Sequence, residues 1–316
     1  MFAIMAPGQG SQTPGMLAGW LRDPVHAERV QAWSEAADCD LAHLGTKASA
    51  AEIARTENTQ PLLVAQGLLA HQALATAVAE GAAVAVGHSV GELTAAAFAG
   101  VLTPTDAVRL AAVRGRAMAA ACAEAPTSMA AVVGGDEPAV LARIAEHGLT
   151  AATFNGPGQI VAAGLTEDLQ RLAAAPPPSA TVKPLTVAGA FHTAYMESAR
   201  QAVAAAAAGI DFAPPRTVLL SNADGEALAT PEAVRQRLVD QVVRPVRWDL
   251  CLRGLARFAP GVTVSLPPAK TLANIVRRQY PELSVVPVGS ARDISKALAR
   301  IEATESAEGG PIRAGV

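Results

Sequence analysis

The sequence predicts an α/β protein: a parallel sheet covered by helices on both faces, with a smaller α+β unit inserted into it. Three observations carry this expectation. Short apolar runs without polar alternation, such as Phe2-Ala3-Ile4-Met5-Ala6, read as strands buried on both faces. Longer stretches with apolar residues at helical spacing alternate with them, as a parallel sheet requires. Between about Ala125 and Leu185 the elements shorten and change order, which marks the insert.

Taken in order, Phe2–Ala6 is a first strand ended by Pro7-Gly8. Pro61 sits where a helix is expected to begin, running to about Ala79 and stopped by Gly81. Ala82–Val86 is a second buried strand, followed by a Gly-flanked turn and a helix over Gly91–Phe98. Thr103-Pro104 supply an N-cap and a first-turn proline for a long helix to about Ala123. The insert reads as strand Met129–Val133, helix Pro138–His147, a hairpin of Ala151–Phe154 with Gln159–Ala163, helix Thr166–Ala174 and strand Thr181–Val187. That order is the ferredoxin-like unit, with Pro176–Pro178 as a surface loop. After His192 the larger unit resumes, with strands near Thr217–Leu220 and Val262–Leu266. The expected division is 1–124 with 188–305 for the larger unit, 125–187 for the insert, and a flexible Gly-rich tail at 306–316.

Composition narrows the class. With 316 residues, 51% hydrophobic and 17% charged, the chain can bury a large core and is not a disordered polymer. A net charge of −3 argues against a nucleic-acid-binding domain, which concentrates basic charge. Cys39, Cys122 and Cys251 are an odd, scattered set without a C-x-x-C pair, so neither a disulfide framework nor a zinc cage is indicated, and the expected location is the reducing cytoplasm. The N-terminus lacks the basic and small-residue signals of a secretory leader. The most apolar stretch, Val64–Val86, is interrupted by Gln66, His71, Gln72 and Glu80, so no membrane span is expected.

The chemistry centres on Gly87-His88-Ser89-Val90-Gly91. It stands between an expected strand and an expected helix, the setting of a nucleophile elbow, which makes the larger unit α/β-hydrolase-like. Ser89 would then be displayed at a helix N-terminus, where backbone N–H groups face a developing oxyanion. The alternative is a serine that merely caps a helix. A hydroxyl nucleophile needs a base, most often histidine. Of six histidines, His192 lies at the end of an expected strand and the start of a helix, near the sheet edge, whereas His26, His43, His71 and His147 sit in polar or helical stretches and His88, beside Ser89 on a sharp elbow, is expected to point elsewhere. A structural histidine is the competing reading. Pro7-Gly8-Gln9-Gly10-Ser11-Gln12 is not a dinucleotide loop, because Thr13 stands where that motif needs glycine or alanine, and it lacks the Gly-Lys of a P-loop. It is either a tight turn or a source of a backbone N–H for an oxyanion.

These motifs occur together and in order with Val113-Arg114-Gly115, Asn155-Gly156-Pro157-Gly158-Gln159, Gly189-Ala190-Phe191-His192 and Pro245-Val246-Arg247-Trp248. Over about residues 1–290 the chain resembles the malonyl-CoA:acyl carrier protein transacylase family. The resemblance implies ping-pong acyl transfer from malonyl-CoA to the phosphopantetheine thiol of an acyl carrier protein, in fatty-acid or polyketide synthesis, with no metal or redox cofactor. It implies Ser89 as nucleophile, His192 as base, backbone N–H groups of Gln9 and Val90 as the oxyanion hole, and a Gln241 carbonyl orienting the histidine. Arg114 matches the arginine that holds the malonyl carboxylate, a task suited to a planar guanidinium. Phe191 matches the malonyl-selective form, and Asn155 the pocket. The runner-up reading is a thioester hydrolase with the same Ser–His dyad, which would lack the arginine. A monomer is the family expectation.

Two departures stand out. Ser265-Leu266-Pro267-Pro268-Ala269-Lys270 replaces an acidic residue with Gly-Pro-Gly, so this loop must differ in backbone shape. Arg244 replaces the usual asparagine before Pro245. Arg244, Arg247, Arg253, Arg257, Lys270, Arg277 and Arg278 give the C-terminal third a cationic bias, either a dock for an acidic carrier, with Arg277, Arg278 and Lys270 foremost, or a solvated face.

Overall fold

The run Phe2–Ala6 forms strand β1 at the centre of the larger sheet in the computed structural model, which describes residues 1–75 and 83–307. All five residues are buried, divided between two cores. Phe2, Ile4 and Ala6 join one that contains Trp20, Trp33 and Leu69, while Ala3 and Met5 join another with Trp248, Leu252 and Leu272. Successive side chains of a strand point to opposite faces, so a strand covered on both has no place for a polar residue.

A 3-10 turn at Trp20–Arg22 leads into helices α1 (Pro24–Ala37), α2 (Leu41–Thr46) and α3 (Ala50–Ala54). The side chains of Asp23, Asp40 and Ser49 accept backbone N–H groups at their N-termini, as capping residues do. Helix α4 (Thr56–Ala75), strand β2 (Ala83–Gly87), helix α5 (Gly91–Phe98) and helix α6 (Pro104–Cys122) follow, α6 capped by Thr103. The insert contains β3 (Thr127–Gly134), α7 (Glu137–Glu146), β4 (Thr150–Gly156), β5 (Gln159–Leu165), α8 (Thr166–Ala174) and β6 (Ala180–Pro184). Its antiparallel sheet has the order β4-β5-β3-β6, the ferredoxin-like arrangement, over its own core of Val132, Val140, Ile144, Leu169 and Leu172. The chain returns through α9 (Glu197–Ala208), β7 (Val218–Leu220), β8 (Ala227–Leu228), α10 (Pro231–Asp240), α11 (Trp248–Arg257), β9 (Val262–Ser265), α12 (Lys270–Gln279), β10 (Val285–Pro287) and α13 (Ile294–Ala307). The larger sheet has the order β10-β9-β1-β2-β7-β8, parallel except for the antiparallel edge strand β8. Among the described residues no helix is long and apolar enough to cross a membrane.

Four expectations need correction. Helix α4 starts at Thr56, so Pro61 lies inside it rather than opening it. Gly115 of α6 explains this: a Cβ there would come within 2.9 Å of the Thr56 carbonyl oxygen, so the missing side chain lets α6 press on the first turn of α4. That packing outweighs the single backbone hydrogen bond the proline removes. The strand expected to reach Val187 stops at Pro184, and no strand precedes His192. Its pairing with β3 runs out there: Leu185 N–H still reaches Met129 O, but Val187 N–H turns back to Leu185 O as the chain crosses to the larger unit. Ser306 and Ala307 belong to α13 rather than to a tail. Residues 308–316, like Ala79, Gly81 and Ala82, lie outside the described residues. In the 265–270 loop Ala269 takes an ordinary φ of −73°, and the Ser265 hydroxyl donates to its carbonyl at 2.9 Å.

Candidate active site

Strands β1 and β2 are parallel neighbours with Ala6 opposite Gly87, so the loops that follow them leave the same edge of the sheet. His88 N–H donates to Ala6 O at 2.9 Å, tying the two loops together. A sharp turn follows, with Ser89 at φ 51°. Its glycines are sterically required: a Cβ on Gly87 would lie 2.1 Å from the Gly91 carbonyl, and one on Gly91 would lie 2.3 Å from Ala6 O. Ser89 therefore stands at the N-terminus of α5, as the elbow motif predicts. The N–H groups of Val90 and of Gln9, on the neighbouring loop, have no hydrogen-bond partner among the described residues.

His192 comes from the irregular crossing segment, at φ 61° and 5% exposed. Its Nδ1 is 2.8 Å from the Gln241 backbone oxygen and its Nε2 is 2.8 Å from Ser89 Oγ. A carbonyl only accepts, so Nδ1 carries the proton and Nε2 is left free to take the serine's. Burial, with the nearby Arg114 charge, pushes the imidazole down to about 3, so it is neutral at physiological pH. A neutral imidazole against a hydroxyl can act as a general base.

Arg114, on α6, is 2% exposed. Its Nη1 donates to Gln60 Oε1 at 2.6 Å, and its Nη2 donates to Gln241 Oε1 at 3.0 Å and to Ser89 Oγ at 3.2 Å. Nε has no partner. Burial lowers this guanidinium to about 10, which leaves it charged. A buried cation beside the serine, without an ion pair at its tip among the described residues, suits a substrate carboxylate. Asn155 of the insert joins the site through His88, whose Nε2 is 3.1 Å from Asn155 Oδ1. Phe191 is buried directly before His192. The exposed Lys270, Arg277 and Arg278 lie along α12; Arg278 reaches Gln159 Oε1 at 2.7 Å, and the adjacent Gln279 donates to Asn155 O at 2.8 Å. Arg247 and Arg257 are instead paired with Asp249 and Glu226.

The fold has counterparts among solved structures. The Acyl transferase domain family model matches residues 4–300. A malonyl CoA-acyl carrier protein transacylase of Mycobacterium tuberculosis is 49% identical over 298 residues, covering 94% of this chain and 99% of the relative. The chain belongs to the malonyl-CoA:acyl carrier protein transacylase family. The crystal structure of the M. tuberculosis transacylase superposes with a TM-score of 0.92 at 49% identity, covering 94% of this chain and 99% of that one. A malonyl-transacylase in complex with its holo type II PKS acyl-carrier protein superposes with a TM-score of 0.87 at 30% identity, covering 94% and 99%.

Two residues of this candidate site were not singled out by the sequence. Asn222 accepts Ser89 N–H on Oδ1 at 2.8 Å and donates from Nδ2 to Gly87 O at 2.6 Å. Glu92, the residue directly after the elbow motif, is buried and accepts Asn222 N–H at 2.5 Å. Glu92 adjoins the elbow motif, but nothing local reveals that its carboxyl is buried. Asn222 follows β7 and had no signal at all.

Proposed function

We propose that this protein transfers a malonyl group from malonyl-CoA to the phosphopantetheine thiol of an acyl carrier protein, for fatty-acid or polyketide synthesis, through a malonyl ester on Ser89. The observation that carries the reading is Arg114 Nη2 at 3.2 Å from a serine oxygen that is itself 2.8 Å from His192 Nε2. A cation so close to the nucleophile matches an acyl group with a second carboxylate. The hydrolase alternative needs no such cation and is not favoured.

Ser89 Oγ attacks the thioester carbonyl while its proton passes to His192 Nε2. The oxyanion is received by the N–H groups of Gln9 and Val90 at the N-terminus of α5. Collapse breaks the carbon–sulfur bond, and the departing CoA sulfur takes the proton back from His192. The carrier thiol then gives its proton to His192 and attacks the ester, and Ser89 is reprotonated as it leaves. The Gln241 carbonyl keeps the imidazole in the tautomer both half-reactions need. The sequence of steps moves one acyl group and one proton, so it calls for no metal or redox cofactor. Asn155 lines the pocket through His88, Phe191 shapes it for malonyl, and Lys270, Arg277 and Arg278 attract the acidic carrier. Action as a monomer in the cytoplasm completes the reading, and the three cysteines, none of them in a disulfide, agree with that setting.

Intact-protein mass after brief incubation with malonyl-CoA or acetyl-CoA tests this reading. Wild type should gain a malonyl adduct that Ser89→Ala lacks, that Arg114→Ala weakens, and that holo but not apo carrier discharges. An adduct that decays equally fast without carrier would instead indicate the hydrolase.

A further inference from the structure

Glu92 is 3% exposed, and it touches none of the reacting groups directly. A glutamate in a first helical turn ordinarily faces solvent and favours the helix dipole; a buried one needs partners for its oxygens. Both partners here belong to the site. Oε1 accepts Asn222 N–H at 2.5 Å, and Oε2 accepts Gln241 Nε2. Asn222 spans the elbow from Gly87 O to Ser89 N–H. Gln241 holds His192 with its backbone oxygen and Arg114 with its side-chain oxygen, and its Nε2 also reaches Ser89 O at 3.0 Å. One carboxyl thus joins the two residues that together set the serine, the histidine and the arginine.

We propose that Glu92 is a positioning residue for acyl transfer, acting through Asn222 on the elbow and through Gln241 on His192 and Arg114. This rests on the reading of Ser89, His192 and Arg114 given above. Both oxygens face donors, so the carboxylate is the form that fits. A glutamine in its place must turn an NH2 toward either Asn222 N–H or the Gln241 NH2, donor against donor, in either orientation. Gln241 can then relax only by turning its own amide, which withdraws the oxygen from Arg114.

The charged and titratable groups around Glu92 are Arg114 on α6, Arg237 and Asp240 on α10, Arg244 just beyond, and Cys251 on α11. Burial raises Glu92 to about 8 against the opposing pull of the Asn222 N–H, Gln241 and the two arginines, Arg114 and Arg237. His192, at about 3, stays neutral and Arg114, at about 10, stays charged around that pH, while burial holds the Cys251 thiol well above its usual range.

The test is the first-turnover rate of malonyl-Ser89 formation at saturating malonyl-CoA, by quenched mass spectrometry from about pH 6 to about pH 9. Wild type is expected to accelerate as Glu92 ionises. Glu92→Gln is expected to be slower by about tenfold or more and to lose that acceleration, with its unfolding midpoint undiminished. Glu92→Asp keeps the charge but falls a methylene short, so it should be slow while retaining the pH rise. A Glu92→Gln rate within about twofold of wild type, or a pH profile parallel to it, overturns the inference; so does a Glu92→Asp rate within about twofold, should the glutamine variant not fold. If wild type formed no adduct, the proposed function itself would fail, a result distinct from these.

Discussion

Ser89 and His192 meet at 2.8 Å although both occupy the left-handed backbone region, with φ of 51° and 61°. Neither is glycine, so each conformation costs energy that the surroundings must offset. For Ser89 the surroundings are close-packed backbone at Gly87, Gly91 and Ala6.

That packing makes Gly91→Ala a severe test. The added Cβ would lie 2.3 Å from Ala6 O and 2.8 Å from Pro7 O, both main-chain atoms at the end of the central strand. A loss of about 1–3 kcal/mol or more is expected in urea unfolding, with acylation abolished. A variant with the wild-type midpoint and rate would contradict the elbow geometry.

Arg114→Lys should behave as a poor substitute. A single ammonium cannot reproduce the fork that reaches Gln60, Gln241 and the serine together. Loss of charged hydrogen bonds predicts about 1.5–3 kcal/mol in kcat/KM for malonyl-CoA, with acetyl-CoA much less affected. Equal losses for both substrates would refute carboxylate recognition by this residue.

Gln241→Ala separates backbone from side chain. The carbonyl that receives His192 Nδ1–H remains, while the contacts to Arg114 and Ser89 O disappear. The acylation rate should fall by about 10- to 100-fold, in the range for a residue that orients reacting groups, and stay above that of His192→Ala. An alanine variant as inactive as His192→Ala would mean that the side chain, rather than the carbonyl, governs the histidine.

Stability should peak near neutrality. His71, His88 and His192 have pKa values lowered by burial from 6.5, to about 4 for His71 and about 3 for His192. Their contribution is present above 6.5 and is lost as pH falls, because the unfolded chain binds the protons more readily. Glu92, raised from 4.5 to about 8, has the opposite sign: its contribution is present below 4.5 and is lost as pH rises toward 8. Between 4.5 and 6.5 three histidines oppose one carboxyl, so the urea midpoint should climb to about pH 6.5 and decline above it. A midpoint that rises steadily to pH 8 would contradict this assignment.

Reversing Arg277 and Arg278 to Glu should raise the KM for holo carrier, measured against the malonyl-CoA half-reaction as reference. The effect should shrink with added salt, since exposed charges are screened over about 10 Å at 0.1 M. An unchanged carrier KM would remove α12 from the docking surface.

What could be read in advance follows a physical line. The elbow was legible because its glycines, strand and helix are neighbours in sequence, and Thr103-Pro104 announced α6 for the same reason. His192 meets Ser89 without the strand expected before it; its support is a carbonyl 49 residues away, which only the family resemblance points to. Pro61 misled because the contact that overrides it comes from Gly115, on another helix. Helices α1 to α3 escaped notice because their apolar faces are short. Glu92 and Asn222 escaped because burial of a polar group is a property of the assembled chain, not of its local pattern.

Val246 remains. Its carbonyl receives Phe154 N–H and its own N–H reaches Ala152 O, both at 2.9 Å, while the Arg247 guanidinium lies 4.6 Å from the centre of the Phe154 ring. The edge of the inserted sheet is thereby laced to the stretch between Gln241 and Trp248. Parting the two units like jaws would have to break both of those hydrogen bonds and lift the guanidinium off the ring, so this short stretch of main chain acts as a clasp.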